Sequence, residues 1–350
     1  MPETASAPEP EILCERRGEA GLVTLNRPKA LNALTLGMVR ALRRSLDAWE
    51  ADPAVTRVVI AGSGERAFCA GGDIRWLYEL GRGGRVEEAL AFWREEYELN
   101  IRIKRYPKSF IALVDGIVMG GGVGVSLHGS HRVAGDRYSF AMPEVGIGFF
   151  PDVGATYALP RLPGEVGTFL ALTGERVRRA DAVALGLATH AVPSRSLPAL
   201  LDALAAGEPV DAALAAVTEE PGETALLGER ETIDGCFSAG SVGEILARLD
   251  RASAFAAEAA ATTRQKSPTS LAIALEQMRR GPTLSFEDAM RTEFRIVSRI
   301  VDHHDFYEGV RAAIIDKDGA PRWRPASLEE VDPAAIQAYF APLPRELAAP

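Results

Sequence analysis

Basic residues are outnumbered: 39 lysines and arginines stand against 48 acidic residues in 350, a net charge of −9. A nucleic-acid binder needs a basic face to displace counterions from phosphate, so this balance argues against such a partner. Long hydrophobic runs are missing as well. Nothing approaches the roughly 18 consecutive apolar residues of a membrane-spanning helix, and no membrane partner is expected. Cysteine is rare and scattered. Cys14, Cys69 and Cys236 are odd in number and form no CxxC pair, which argues against a disulfide framework or a thiolate zinc site. A reduced, cytoplasmic compartment fits this usage. The segment Met1 to Pro10 has neither a basic n-region nor an apolar h-region, so residues 1–11 read as a frayed tail and not as a targeting peptide.

Familiar motifs are absent too. There is no GxxxxGK[ST] phosphate loop, and Gly124-Val-Ser-Leu-His128 lacks the last glycine of a nucleophile elbow. Gly62-Ser-Gly64-Glu-Arg-Ala67 follows a strand, but Ala67-Phe-Cys-Ala-Gly-Gly-Asp73 comes next and reads as loop, where a dinucleotide fingerprint would open a helix. Asp302-His-His-Asp305 looks metal-like, yet adjacent side chains diverge on a helix or strand. It reads as a solvated face or helix start, and no metal site is expected.

What is present is a globular composition, 47% hydrophobic, long enough for two domains or one with an appendage. Strands are expected at Ile12–Arg17, Gly21–Asn26, Val55–Ile60 and Phe110–Val114, with helices at Leu36–Glu50 and about Val86–Lys104. Strands and helices alternate, which argues for an α/β fold with crossover connections. From about Gly164 the segments become Ala- and Leu-rich and helical. The boundary between an α/β core (12–200) and a helical C-terminal region (201–350) is placed near residue 200. Ser267-Pro268 reads as an N-cap with proline at the first helical position, and Gly281-Pro282 as the end of that helix.

Three elements carry chemistry. Ala70-Gly-Gly-Asp73 and Gly120-Gly-Gly-Val-Gly124 are glycine clusters, readable as tight turns or as loops whose bare N–H groups approach a ligand. One N–H from each loop would make an oxyanion hole, the second helped by a helix dipole. The third element places Glu144 and Asp152 in an otherwise uncharged stretch of apolar residues, glycines and prolines, from Phe140 to Gly154. Partial burial raises a carboxyl pKa and suits acid–base work, whereas a turn residue and an N-cap are the structural alternatives.

The series Asn26-Arg-Pro-Lys-Ala-Leu-Asn-Ala-Leu34, Phe68-Cys-Ala-Gly-Gly-Asp-Ile74, Gly116-Ile-Val-Met-Gly-Gly-Gly122 and Pro143-Glu144 resembles the crotonase (enoyl-CoA hydratase/isomerase) superfamily over about residues 12–200. The resemblance implies a spiral of ββα units with a helical C-terminal region. It implies an acyl-CoA substrate, no cofactor beyond the coenzyme A that substrate carries, and an oxyanion hole from the amides of Gly72 and Gly121. CoA contacts would fall at Lys29, Ala30, Leu34, Ala70, Asp73 and Ile74. A homo-oligomer is allowed, although the extension past residue 200 bears on the trimer contacts of shorter relatives.

The family's hydratase pattern has a first glutamate where Gly124 stands and a second at Glu144, so hydration is disfavoured. Arg94-Glu-Glu96-Tyr97, Phe150-Pro-Asp-Val-Gly154, Ser267-Pro-Thr-Ser270, His304-Asp-Phe-Tyr-Glu-Gly-Val-Arg311 and Ile315-Asp-Lys-Asp318 resemble a thioester-hydrolysing branch, nearly end to end. That branch implies hydrolysis of a short 3-hydroxyacyl-CoA, with 3-hydroxyisobutyryl-CoA (valine breakdown) as the expected substrate. Glu144 would be nucleophile or general base, Asp152 would bind the hydroxyl or protonate the thiolate, and Glu96 would contact the acyl group. The alternatives are an enoyl-CoA isomerase or hydratase of the same superfamily, and a non-catalytic acyl-CoA-binding member.

Overall fold

The fold is built from strands that alternate between two sheets. The structure is a computed structural model and describes residues 9–348. Strands β1 (Ile12–Arg17), β2 (Ala20–Leu25), β3 (Arg57–Gly62), β4 (Ala67–Cys69), β5 (Ser109–Val114), β6 (Ile117–Met119), β7 (His131–Ala134), β8 (Ser139–Ala141), β9 (Val177–Arg178) and β10 (His190–Ala191) form a six-stranded and a four-stranded sheet. The first runs β1-β2-β3-β5-β7-β10 and the second β4-β6-β8-β9. Pairing is parallel except for the antiparallel edges β1/β2 and β8/β9. The pairs β3/β4, β5/β6 and β7/β8 each give one strand to each sheet, so the chain advances as a spiral of ββα units.

Helices α1 (Leu36–Ala51), α2 (Ile74–Arg82), α3 (Val86–Lys104) and α4 (Gly121–Gly124) belong to this spiral, and α5 (Ala155–Ala158), α6 (Val166–Thr173) and α7 (Arg179–Ala184) follow it. Strands β2, β3 and β5 of the main sheet are buried on both faces. Val58, Ile60, Phe110 and Ala112 point into the large core, while Val59, Ile111, Leu113 and Val133 face a second one. That second core is closed by Leu200 and Leu204 of α8 (Leu197–Ala206) and Ala213 and Leu214 of α9 (Val210–Ala215). Period-2 alternation thus serves two apolar layers, as expected of parallel strands covered on both sides. Each fully buried Val, Leu, Ile or Phe contributes roughly 1.5–3 kcal/mol.

Beyond them come α10 (Arg230–Phe237), α11 (Val242–Leu249), α12 (Ala254–Arg264), α13 (Pro268–Arg280), α14 (Phe286–Ile300), α15 (His304–Val310) and α16 (Pro333–Tyr339). Ser267 caps α13, its Oγ accepting from the Ser270 N–H at 3.1 Å with Pro268 at the first helical position. The turn Gly281–Thr283 ends that helix.

Several expectations need correction. Ala67–Cys69 is strand β4 and not loop, and β6 precedes the glycine turn after Gly116. Two short strands, β9 and β10, interrupt the segment read as helical. Strands of two or three residues are too short to show a period, and pairing alone defines them. The tail placed at 1–11 falls outside the described residues as far as residue 8. Glu11, however, is tied down: its backbone O accepts from the Asn26 N–H at 2.8 Å and its carboxylate pairs with Arg27 at 3.0 Å. The side chains of the Asp302–Asp305 run separate as predicted. Asp305 accepts from Ser267 Oγ, His304 meets the Arg322 carbonyl and the His303 ring lies beside Tyr339.

Candidate active site

Two loops at the ends of neighbouring strands build the polar end of a cavity. The first leaves β4 at Cys69. Gly71 takes φ +118°, a backbone conformation that favours glycine, and Asp73 caps α2 by accepting from the Trp76 N–H at 3.3 Å. Leu34 lies alongside: its N–H donates to the Gly71 carbonyl at 2.9 Å, and its carbonyl accepts from the Asp73 N–H at 2.9 Å. In that parallel pairing the Gly72 N–H points the other way, and among the described residues it donates to nothing.

The second loop leaves β6 at Met119, turns through Gly120 at φ +45° and enters α4. The Gly121 N–H is a first-turn amide without a partner among the described residues. A Cβ on Gly121 would sit 3.2 Å from the Gly72 nitrogen, so the two free amides are neighbours. Helix α4 is a single turn of 4 residues, so the donor is the bare N–H and the expected helix dipole adds little.

Three carboxyls face this pair of amides. Glu96 comes from the middle of α3 and is 2% exposed; its Oε1 would lie 2.5 Å from a Cβ at Gly121 and has no hydrogen-bond partner among the described residues. Glu144 opens the 3-10 turn after β8 and is 7% exposed. Its Oε1 would be 3.4 Å from a Cβ at Gly120, and its Oε2 is unpartnered among the described residues. Asp152 is 4% exposed and accepts a 2.8 Å hydrogen bond from the Tyr97 hydroxyl. All three line one cavity of about 260 Å³ with Gly72, Gly121 and Ile314. Its apolar wall includes Trp93 stacked on Phe149 at 5.6 Å. The volume is below the roughly 300–1,000 Å³ of drug-sized ligand sites and suits a short acyl group.

Burial dominates the electrostatics. It pushes Glu96 and Glu144 well above the usual carboxylate range, and the negative charge of Asp152 raises both further. Burial likewise raises Asp152 to about 7, against the Tyr97 hydrogen bond that favours its charged form.

Of the residues expected at the site, Gly72, Gly121, Glu96, Glu144, Asp152, Ala70 and Ile74 line the cavity together. Lys29 and Ala30 do not: they sit exposed on the turn Pro28–Ala30. That turn flanks the cavity's first loop, with Leu31 accepting from the Ala70 N–H at 3.0 Å. Leu34 is buried behind Gly121, and Asp73 is engaged by Arg27 at 3.0 Å. Sequence reasoning gave no role to Tyr97 or Ile314. Tyr97 follows Glu96 directly, and that adjacency was the available signal.

A substitution tests the amide pair. Gly121→Ala would drive a methyl against Glu96 Oε1 and displace the loop. We expect kcat for the proposed reaction to fall about 10²-fold, the lower part of the range for losing an oxyanion donor. Unchanged kcat would remove Gly121 from the mechanism.

The spiral of ββα units places two loop amides, free among the described residues, beside buried carboxyls, and the enoyl-CoA hydratase/isomerase family model matches residues 20–340. The chain belongs to that family. It is 45% identical over 344 residues to the 3-hydroxyisobutyryl-CoA hydrolase, mitochondrial, of Danio rerio, covering 95% of this chain and 90% of that one. The protein of the same name from Homo sapiens is 44% identical, at 95% and 89% coverage. A crystal structure described as a carnitinyl-CoA dehydratase from Mycobacterium thermoresistibile superposes with a TM-score of 0.93 at 45% identity, covering 97% of this chain and 98% of that one.

Proposed function

We propose that the chain hydrolyses a short 3-hydroxyacyl-CoA thioester, namely 3-hydroxyisobutyryl-CoA, to 3-hydroxyisobutyrate and CoA. The observation that carries this reading is the convergence of Glu96, Glu144 and Asp152 on a cavity beside two amides that have no partner among the described residues. The names of the relatives at 44–45% identity support the same substrate.

The thioester oxygen would rest between the Gly72 and Gly121 N–H groups, which stabilise the charge it gains on attack. Glu144 then either adds to the carbonyl carbon, giving an anhydride that water cleaves, or takes a proton from an attacking water. Both routes consume one water and release one thiol. Asp152, near neutrality in its proton affinity, binds the substrate hydroxyl or protonates the departing thiolate. Glu96, against Gly121, completes the polar contacts to the acyl group. The reaction so drawn needs no cofactor besides the CoA of the substrate.

Hydration, as in the name of the solved dehydratase, is disfavoured by position 124. A Cβ there would meet Asn100 Nδ2 at 2.7 Å and the Val153 Cβ at 2.9 Å, leaving no room for a second glutamate. The isomerase reading makes Glu144 a proton shuttle at an α-carbon and gives Asp152 no task.

Thiol release from a panel of 3-hydroxyacyl-CoAs, read beside double-bond migration in a 3-enoyl-CoA, tests the proposal. We expect CoA release to be fastest with 3-hydroxyisobutyryl-CoA. Deuterium uptake at the α-carbon without CoA release would replace hydrolysis by isomerisation. Among the described residues no helix is long and apolar enough to cross a membrane. Three free thiols support a reducing compartment, and we retain the cytoplasm as our reading beside relatives named mitochondrial. Fractionation decides between the two.

A further inference from the structure

Asp152 sits on backbone that does not hold itself. Val153, the next residue, adopts φ +53° although it is β-branched, and Gly154 follows at φ +93°. A left-handed conformation is unfavourable for a β-branched residue and persists only where surrounding structure imposes it. Four buried side chains from separate elements do so here. His128 Nε2 lies 2.7 Å from the Val153 carbonyl. Gln277 of α13 donates through Nε2 to the Pro151 carbonyl at 2.9 Å and to Thr156 Oγ1 at 2.7 Å. Tyr97 of α3 bonds the Asp152 carboxyl itself. Glu293 of α14, 0% exposed, accepts from the Gly154 N–H at 2.8 Å and the Thr156 N–H at 2.9 Å, one through each oxygen.

A buried carboxyl in the apolar face of α14 is costly to desolvate and does not touch the cavity. No cation pairs with it among the described residues; its two oxygens are spent on the loop. We propose that Glu293, with Gln277 beside it, is a positioning residue. It fixes the strained Pro151–Thr156 backbone so that the Asp152 carboxyl meets the substrate, and the helical C-terminal region thereby sets the geometry of the acid. The proposal rests on the hydrolase reading, in which Asp152 acts on the acyl group or the leaving thiolate.

The first glycine loop is held by β4 and by its two bonds to Leu34, whereas the second meets the Pro151–Thr156 segment only where Gly124 lies against Val153, three residues beyond the Gly121 amide. A displacement of about 1 Å in a reacting group can cost ~10²-fold in rate. Glu293→Gln keeps the shape but turns an amide N–H₂ toward one of the two backbone N–H groups, so one of the two bonds is lost. We expect kcat for 3-hydroxyisobutyryl-CoA hydrolysis to fall about 10- to 100-fold with KM within about twofold. Gln277→Met removes the neighbouring donor without changing charge and is expected to act in the same direction.

The deciding measurement is a double-mutant cycle with Asp152→Asn. If Glu293 acts through Asp152, adding Glu293→Gln to Asp152→Asn changes kcat by less than about threefold, because the group being positioned is already disabled. Full multiplication of the two losses, or a Glu293→Gln enzyme with unchanged kcat, overturns the positioning role. An Asp152→Asn enzyme with normal turnover overturns the underlying assignment of Asp152 instead, so the two failures are told apart. Should Glu293→Gln not fold, the same cycle run with Gln277→Met separates the same outcomes.

Discussion

Replacing Glu144 by glutamine is expected to lower kcat for thioester hydrolysis by roughly 10³–10⁴-fold, the upper part of what a positioned acid–base group supplies. The change is nearly isosteric. Among the described residues Glu144 Oε2 has no hydrogen-bond partner to lose, and the side chain ends against Gly120, where an amide occupies the same space. The two loop amides are untouched, so KM should move only a few-fold. Thermal stability should stay within a few degrees, since a neutral amide replaces a carboxyl that burial already disfavours as an anion. Steady-state kinetics beside a melting curve separates loss of chemistry from loss of fold. Turnover within tenfold of the unmodified enzyme would remove Glu144 from both routes drawn for it, nucleophile and base alike.

The long elements and both glycine loops are legible in the sequence, and for a physical reason. Helix α3 is readable at Val86–Lys104 because apolar residues recur at helical spacing over five turns and Pro107 closes the segment. The loops are legible because glycine runs at Ala70–Asp73 and Gly120–Gly124 have few purposes apart from sharp turns and close approach. What stays hidden depends on contacts remote in sequence. The second sheet is assembled from strands of two and three residues whose only signature is their pairing. Ile314 reaches the cavity from a π-helical turn, Arg311–Ile315, tied to α2 by a 2.8 Å bond from Arg75 to its carbonyl. Glu293 does leave a trace: it interrupts the apolar stripe Phe286, Met290, Val297, Ile300, where a solvated acid has no place. The same sign marks Glu96 between Trp93 and Asn100. A lone acid on the buried face of a helix is the shared signal at both positions.

Stability and activity are expected to move in opposite directions as pH rises from about 5 to 7. In the unfolded chain the acids titrate at ordinary values, 3.8 for aspartate and 4.5 for glutamate. In the fold, burial raises Asp152 to about 7 and Glu293 to about 8, and lifts Glu96 and Glu144 as well. Between those limits the folded state holds protons that the unfolded state has released. Its stability is therefore full below the unfolded values and falls as pH climbs through the folded ones, by about 1.4 kcal/mol per pH unit for each proton retained. Denaturant midpoints at intervals across this window should decline for the unmodified protein. They should decline less steeply for Glu293→Gln, which has no proton to lose at that position. Parallel curves for the two would mean that the Glu293 carboxyl is ionised throughout. The rate should climb as Glu144 loses the proton it must lose to attack or to serve as base, with an apparent pKa that belongs to the whole carboxyl cluster; above about 7 it should fall again if Asp152 protonates the thiolate and keep climbing if Asp152 only binds the hydroxyl. The desolvation that raises the proton affinity of Glu144 is also what makes the fold lose stability as pH rises, so a variant that flattens the stability curve by opening the cavity to water should begin its rise in rate at lower pH.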